Sequence, residues 1–442
     1  MAATWLMMSL EGPFLAAIIA RLPDPKFNLA AYGVAFAFAI LVEAPVIMIM
    51  SASTALVEDS TSYTRLRRFT YLLNAGITGL MLLILAPRVF DLIMLDLIGL
   101  PPEVTRLTHV SLIILLPWPA AIGYRRFYQG LLIRSGLTRL VAAGTMVRLT
   151  AMATTGVVLY GLFSVSGAYV GAAALAMGVC AEAGASRLMA RGAVRELLER
   201  GPMETEEGPL DYRRIVGFYY PLALTSLLGL AAHPMVTFFM GQARFPVESL
   251  AVLPVVNSLS FIFRSMGLSY QEVAIALLGR RHEHFPELAR FALILGLASS
   301  AGLALIGFTP LSHLWFVTIS GLSEGLTAFA LLPTRIMAIL PATSVLLSFQ
   351  RAVLMQGRVT RPITVATAVE VVGIVLTLMI LIHGVAMVGA TAAAIAYVAG
   401  RLGGSSYLAV PLIQVLRRSG GTGDEKSPEQ LECELQRARP PV

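Results

Sequence analysis

Apolar residues in this chain come in long uninterrupted blocks, not in the alternation of a half-buried strand. About 20 mostly apolar residues suffice for a helix to cross a bilayer. Blocks of that order lie at 1–21, 29–57, 69–85, 108–132, 137–163 and 165–189. A charged stretch at 191–214 follows, with Glu204, Glu206, Glu207 and Asp211. Six more blocks occupy 215–241, 250–278, 291–308, 326–355, 362–382 and 385–416, before a polar tail. The pattern predicts an all-α polytopic membrane protein of about twelve transmembrane helices. Its units are an N-terminal six-helix lobe at 1–190, a cytoplasmic linker at 191–214 forming a solvated loop or surface helix, a C-terminal lobe at 215–416, and a disordered cytoplasmic tail at 417–442. The opening block lacks a basic leader and a small-residue cleavage site, so it reads as a membrane helix and not a signal peptide.

The two halves repeat. Thr4-Trp5-Leu6 aligns with Thr225-Ser226-Leu227 at an offset of 221, which also matches Pro13 with Pro234, Pro25 with Pro246, Leu29-Ala30 with Leu250-Ala251 and Ala55-Leu56 with Ala276-Leu277. At an offset of 222, Gly99-Leu100 meets Gly321-Leu322, Pro119 meets Pro341, Phe127 meets Phe349 and Thr138-Arg139 meets Thr360-Arg361. Near the end Val170-Gly171-Ala172 meets Val388-Gly389-Ala390 at an offset of 218. Six spans per half is an even number, so both halves cross in the same sense. Such parallel repeats are related by an axis along the membrane normal, with substrate expected near the midplane between them. The same alignment leaves only three residues before Thr4, against the long lead into Thr225, and suggests that about ten residues of a full-length first helix precede Met1.

Composition supports a membrane setting: 57% of the 442 residues are hydrophobic and 13% charged, against about 25% charged in soluble domains. The net charge of +7 does not signal nucleic acid, because the basic residues sit in alternate connections. Arg65, Arg67, Arg68, Arg134, Arg139, Arg191, Arg195, Arg200, Arg213, Arg214, Arg280, Arg281, Arg290, Arg358, Arg361, Arg417 and Arg418 fall on one side; Arg21, Lys26, Arg88, Arg106 and Arg244 fall on the other. By the positive-inside bias, both termini and the central linker are cytoplasmic, in a multi-pass inner (plasma) membrane protein. Cys180 and Cys433 form no disulfide or metal pattern. Arg281, His282, Glu283 and His284 make a charged loop, not a metal site. No phosphate-binding loop or nucleophile–base pairing appears, so neither an enzyme nor an ATP-driven pump is indicated. No cofactor is called for; the partners are a small-molecule substrate and the bilayer, with the monomer sufficient because one chain supplies both lobes.

Ionisable residues within spans mark pathways or partners. Glu43 and Arg148 lie midway along the second and fifth spans, and their repeat counterparts are Arg264 and Glu370, with both signs reversed. The simplest pairing joins Glu43 to Arg148 and Arg264 to Glu370; Glu43 with Arg264 across the lobes is the alternative. Either static packing or coupling accounts for such pairs. Glu11 stands two residues before Pro13, which bends its helix, and is suited to bind a proton or sodium ion there. Its counterpart Ala232 is followed by His233 and Pro234. Glu272, Glu182, Arg125, Arg126 and Arg351 lie nearer the cytoplasmic side, and Arg335 lies nearer the middle of its span. The arginines suit carboxylate or phosphate ligands, the alternative being snorkelling to the headgroups, which fits Arg125 and Arg126 best.

Twelve spans, a parallel repeat and a polar linker resemble the multidrug and toxic compound extrusion fold of the exporter/flippase superfamily. Phe218-Tyr219-Tyr220-Pro221-Leu222-Ala223-Leu224, His233-Pro234-Met235-Val236 and Glu248-Ser249-Leu250-Ala251-Val252-Leu253 are similar to the progressive ankylosis proteins, where an arginine replaces His233. The resemblance implies a V-shaped, two-lobed antiporter or exporter with alternating access, its cavity lined by spans 1, 2, 7 and 8. The expected cargo is a small organic solute, an anion ahead of a cation. The rivals are proton- or sodium-coupled efflux of cationic drugs, a lipid or lipid-linked precursor flippase, and a scaffold that transports nothing.

Overall fold

The computed structural model describes residues 2–199, 210–278, 284–356, 359 and 361–420. Proline, glycine and side-chain caps cut the apolar blocks into twelve helices. The first half comprises α1 (Ala2–Ser9 and Glu11–Ala20), α2 (Pro25–Glu43, a 3-10 turn at Ala44–Val46, then Ile49–Leu56), α3 (Ser60–Leu85), α4 (Pro102–Ile114 and Trp118–Arg134), α5 (Thr138–Leu162) and α6 (Gly167–Met189). The second half comprises α7 (Tyr212–Leu230 and Ala232–Gly241), α8 (Pro246–Leu277), α9 (Phe285–Phe308), α10 (Glu324–Met337 and Leu340–Gln356), α11 (Arg361–Met379) and α12 (Gly389–Gly420).

Ten of these, α2 to α11, are long and apolar enough to cross a membrane. The apolar part of α1 is shorter, Trp5–Ala20, and α12 is interrupted by Arg401 and by Gly403, Gly404, Ser405 and Ser406. The protein is a multi-pass, all-α membrane protein. Leu72, Leu82, Leu83, Leu293, Ile294, Leu297, Val372 and Leu376 are exposed on α3, α9 and α11, as a surface solvated by lipid allows.

Several helices begin earlier than hydropathy alone predicts, because polar caps extend them. Asp59 and Ser62 form a reciprocal capping box that starts α3: Asp59 Oδ1 accepts from the Ser62 N–H at 2.8 Å, and Ser62 Oγ accepts from the Asp59 N–H at 2.9 Å. Part of the linker is a helix at Arg191–Glu199. The last helix continues to Gly420, past the expected start of the tail. Residues 200–209 and 421–442 lie outside the described residues, as do Arg281, His282 and Glu283 of the charged loop.

The internal repeat is written into the backbone. Asp24 and Phe245, at an offset of 221, both adopt positive φ (52° and 55°) and each precedes a proline at the first turn of a helix. Gly99 and Gly321, at an offset of 222, turn at φ 79° and 74°. π-helical segments occur at Leu92–Leu97 and, 222 residues later, at Leu314–Ile319. Both α1 and α7 break three residues before a proline, at Leu10 ahead of Pro13 and at Ala231 ahead of Pro234, because the proline ring displaces the helical carbonyl behind it. The break in α2 has no counterpart. Pro45 converts Ala44–Val46 to a 3-10 turn, whereas α8 is continuous through Met266, the equivalent position.

Contacts among the connections α1–α2, α3–α4, α5–α6, α7–α8, α9–α10 and α11–α12 gather them at one end of the bundle, here called apical; the opposite ends of the helices are called basal. The halves meet through α1, α2, α7 and α8, with α2 crossing α8 most closely. At that crossing Gly33 faces Pro254, which is its own repeat equivalent, so the pseudo-twofold axis passes between them. A Cβ at Gly33 would lie 2.6 Å from Pro254 Cγ and 3.3 Å from the Leu250 carbonyl oxygen.

Gly33→Leu is therefore expected to cost about 1–3 kcal/mol through overpacking and to lower the melting temperature of the detergent-solubilised protein. Gly79→Leu, where nothing lies within 4 Å, serves as the control. Equal melting curves for the two variants would contradict the α2–α8 crossing.

Candidate functional site

Charges in the middle of the first half join into one chain. Arg148 on α5 pairs with Glu11 on α1, and its Nε lies 3.7 Å from Glu182 on α6. Glu182 also pairs with Arg125 on α4 and accepts from Gln129 Nε2 at 2.9 Å. Four helices are tied by these contacts. Glu43 on α2 lies within the field of Arg125, Arg126 and Arg148 but makes no ion pair within 4 Å among the described residues, and its Oε2 is buried without a hydrogen-bond partner. Three acids face three arginines, so the cluster is electrically balanced.

The second half is built differently. Glu370 on α11 pairs with Arg401 on α12 at 2.9 Å. The two helices approach closely there because a Cβ at Gly400 would stand only 2.6 Å from the Glu370 carbonyl oxygen. Arg351 on α10 donates to Thr367 Oγ1 at 3.3 Å. Arg264 on α8 senses Arg401, Glu370 and Tyr397 but makes no ion pair within 4 Å among the described residues. Three arginines therefore share one carboxylate. Arg264, His233 and Tyr397 are enclosed deep in the bundle yet keep part of their surface accessible. His233 and Tyr397 both lie within the electrostatic reach of Arg264.

These contacts correct the sequence-based pairings. Arg148 goes to Glu11 and Glu182, not to Glu43, and Glu370 goes to Arg401, not to Arg264. Arg125 does not snorkel: it is 5% exposed and paired. Glu11 does not stand apart, since it joins the chain through Arg148. Glu272 sits on the seam between the halves, where Oε1 accepts from Trp5 Nε1 at 3.3 Å and Oε2 has no partner. Pro13 and Pro234 place their breaks on either side of the seam, one turn from Glu11 and His233. Arg401 was missed, although an ionisable residue inside an apolar block is itself the signal.

The seam has two zones. At the apical end Arg21 Nη2 donates to the carbonyls of Thr318 and Ile319 at 2.7 and 2.9 Å, and Gln242, its repeat equivalent, donates to Leu97 O at 3.2 Å. Each half thus caps the π-helical end of the other, where carbonyls are left without intrahelical donors. Lys26 and Glu248 add an ion pair at 2.6 Å. Further down, Ser226 Oγ donates to Ala44 O at 2.7 Å and the Tyr219 hydroxyl to Pro45 O. The carbonyls freed by the α2 break are thereby taken up by α7.

No family model matches the chain, and no curated protein matches it. Solved structures share its fold. An inward-facing multidrug resistance MATE family transporter of the MOP superfamily superposes with a TM-score of 0.75 at 14% identity, covering 97% of each chain. The lipid II flippase MurJ, in an inward closed conformation, gives 0.69 at 13% identity over 97% of this chain and 94% of that one. An outward-facing MATE family transporter gives 0.63 at 14% identity over 95% and 94%. The chain has a MATE-like fold.

Removing one partner from a buried ion pair strands the other. Arg148→Met, which leaves Glu11 and loosens Glu182, is expected to lose about 3–5 kcal/mol. Glu43→Gln, which breaks no pair, should lose less than half of that. Chemical denaturation in detergent compares the two, and a reversed order would show that Arg148 is not the centre of the chain.

Proposed function

We propose that this protein is a secondary active transporter that moves a small organic solute across the inner membrane by alternating access. The observation that carries this reading is the seam. The two halves, related by a parallel repeat, are latched at the apical end by symmetry-related contacts between polar side chains and carbonyls. Such contacts can be exchanged for water at modest free-energy change. Bundles related in this way open one face as they close the other by rocking about a fixed midplane site.

On this reading the basal end is cytoplasmic, as the distribution of arginines favours, and the described conformation opens inward. Glu11 and Glu43 are the coupling candidates. Each is a carboxylate beside a helix break, where a proton or sodium ion binds without competing for a backbone donor. The three-to-one excess of arginine over carboxylate in the second half favours an anionic solute over a cationic drug, because a cation entering that space meets like charge without compensation. Catalysis has no place in this scheme.

Two measurements test it. Reconstituted protein is expected to accumulate labelled small organic anions in liposomes only under an imposed proton or sodium gradient, and Glu43→Gln should abolish the gradient dependence. Accumulation of ethidium in place of every anion tried would favour drug efflux. Separately, Lys26→Cys with Glu248→Cys, in a background freed of Cys180 and Cys433, should crosslink and stop transport until reduced. Full transport by the crosslinked protein would rule out rocking at the apical seam.

A further inference from the structure

The repeat shows how the two halves diverged in charge. Glu43 corresponds to Arg264, Gln129 to Arg351, Arg148 to Glu370 and Ala183 to Arg401. Three of these four replacements add positive charge to the second half and one removes it. The buried cluster of the first half closes on itself, with Glu11, Glu43 and Glu182 facing Arg125, Arg126 and Arg148. The second half holds Arg264, Arg351 and Arg401 around Glu370 alone. Glu272 does not redress this. It lies eight residues beyond Arg264 on α8, about 12 Å along the axis, and is held by Trp5.

Uncompensated guanidinium groups in a low-dielectric interior are costly unless an anion joins them. Among the described residues each of the three arginines keeps a buried Nε–H without an acceptor, as do Arg125, Arg126 and Arg148, so the number of carboxylates at hand is what sets the two halves apart. The planar fork of an arginine suits the paired oxygens of a carboxylate or phosphoryl group. His233 and Tyr397 both lie within the electrostatic reach of Arg264 and are partly exposed, and both are able to donate to an oxygen. Resting on the transport reading above, we infer that the second half alone carries the substrate subsite. It takes a compact dianion whose two negative charges balance the surplus, with Arg264 as the direct ligand, Arg401 shared between the anion and Glu370, and Arg351 supporting from Thr367. The balanced chain of the first half binds no substrate, leaving Glu43, which makes no ion pair among the described residues, for the coupling ion. Carboxylate and phosphoryl dianions offer the same charge and oxygen geometry, and the two sources are separated by experiment.

The test uses full-length protein in detergent, titrated with malonate, succinate or inorganic phosphate, with acetate and chloride as monovalent controls. Thermal shift and isothermal titration are the readouts. At least one dianion should raise the melting temperature of the wild type, and whether malonate and succinate or phosphate does so names the class. Arg264→Gln should weaken that binding by about ten- to hundredfold, the loss of one charged hydrogen-bonding group, while Arg126→Gln in the first half leaves it unchanged. If Arg264→Gln does not fold, Arg351→Gln replaces it and should weaken binding severalfold. Absence of dianion binding, equal affinity in the variant used, or equal loss in Arg126→Gln would overturn the subsite. Liposome assays on the same variants keep the two claims apart. An anion that is transported equally by wild type and Arg264→Gln overturns the subsite and leaves the transport reading standing. An anion that binds through Arg264 but is never moved does the reverse.

Discussion

Transferring a guanidinium from water to the interior of a helical bundle costs several kcal/mol even after relaxation, and this chain does it with Arg125, Arg126, Arg148, Arg264, Arg351 and Arg401. How those charges are met organises the rest of the structure. In the first half the answer is internal. Glu11 and Glu182 bind Arg148 and Arg125, and Gln129 donates to Glu182, so packing of α1, α4, α5 and α6 becomes one electrostatic unit. In the second half the acid is scarce, and the helices instead lean on small residues: Gly400 brings α12 onto the backbone of α11 beside Glu370. One lobe is held by charge pairing and the other by close backbone approach around a charge deficit. The second is therefore the half in which an added anion changes the energy most.

Repetition accounts for the architecture and its breakdown accounts for the chemistry. Positions that turn the chain keep their conformation in both halves: Asp24 with Phe245, Gly99 with Gly321, the breaks before Pro13 and Pro234. Phe245 holds a left-handed conformation that a large side chain rarely adopts, which shows that the turn geometry outranks the residue in it. Side chains inside the spans have diverged freely by contrast, down to reversed sign at two positions. Backbone symmetry keeps the seam closing on a pseudo-twofold axis while the two faces of the space beside it acquire different charge.

Much of this was legible before the structure. Twelve blocks, a parallel repeat and the end of the bundle carrying each connection followed from hydropathy and offset, because a helix in lipid has to satisfy its own backbone and so leaves a long, plain signal. The partners of the buried charges were not legible. Sequence gives a residue's depth along a helix to within a turn, but not its azimuth, which depends on how each helix is rotated against its neighbours. Glu43 and Arg148 share a depth and do not touch; Glu11 and Arg148 do. For Arg125 snorkelling to the headgroups was an open alternative from its nearness to a helix end, yet α4 restarts at Trp118 after the Pro117 break and Arg125 pairs inward with Glu182. Arg401 escaped notice because its repeat counterpart, Ala183, carries no charge to draw attention to it.

The break in α2 links these strands. It falls one residue after Glu43, and its freed carbonyls, Ala44 O and Pro45 O, are bonded by Ser226 and Tyr219 of α7, which belongs to the opposite half. Glu43 itself lies in the field of Arg125, Arg126 and Arg148. A change in the charge on Glu43 alters its attraction to those arginines, and the nearest place for the backbone to yield is the 3-10 turn beside it, since a helix interior resists bending elsewhere. The turn beside Glu43 is therefore bonded to α7, the helix that carries His233 beside Arg264.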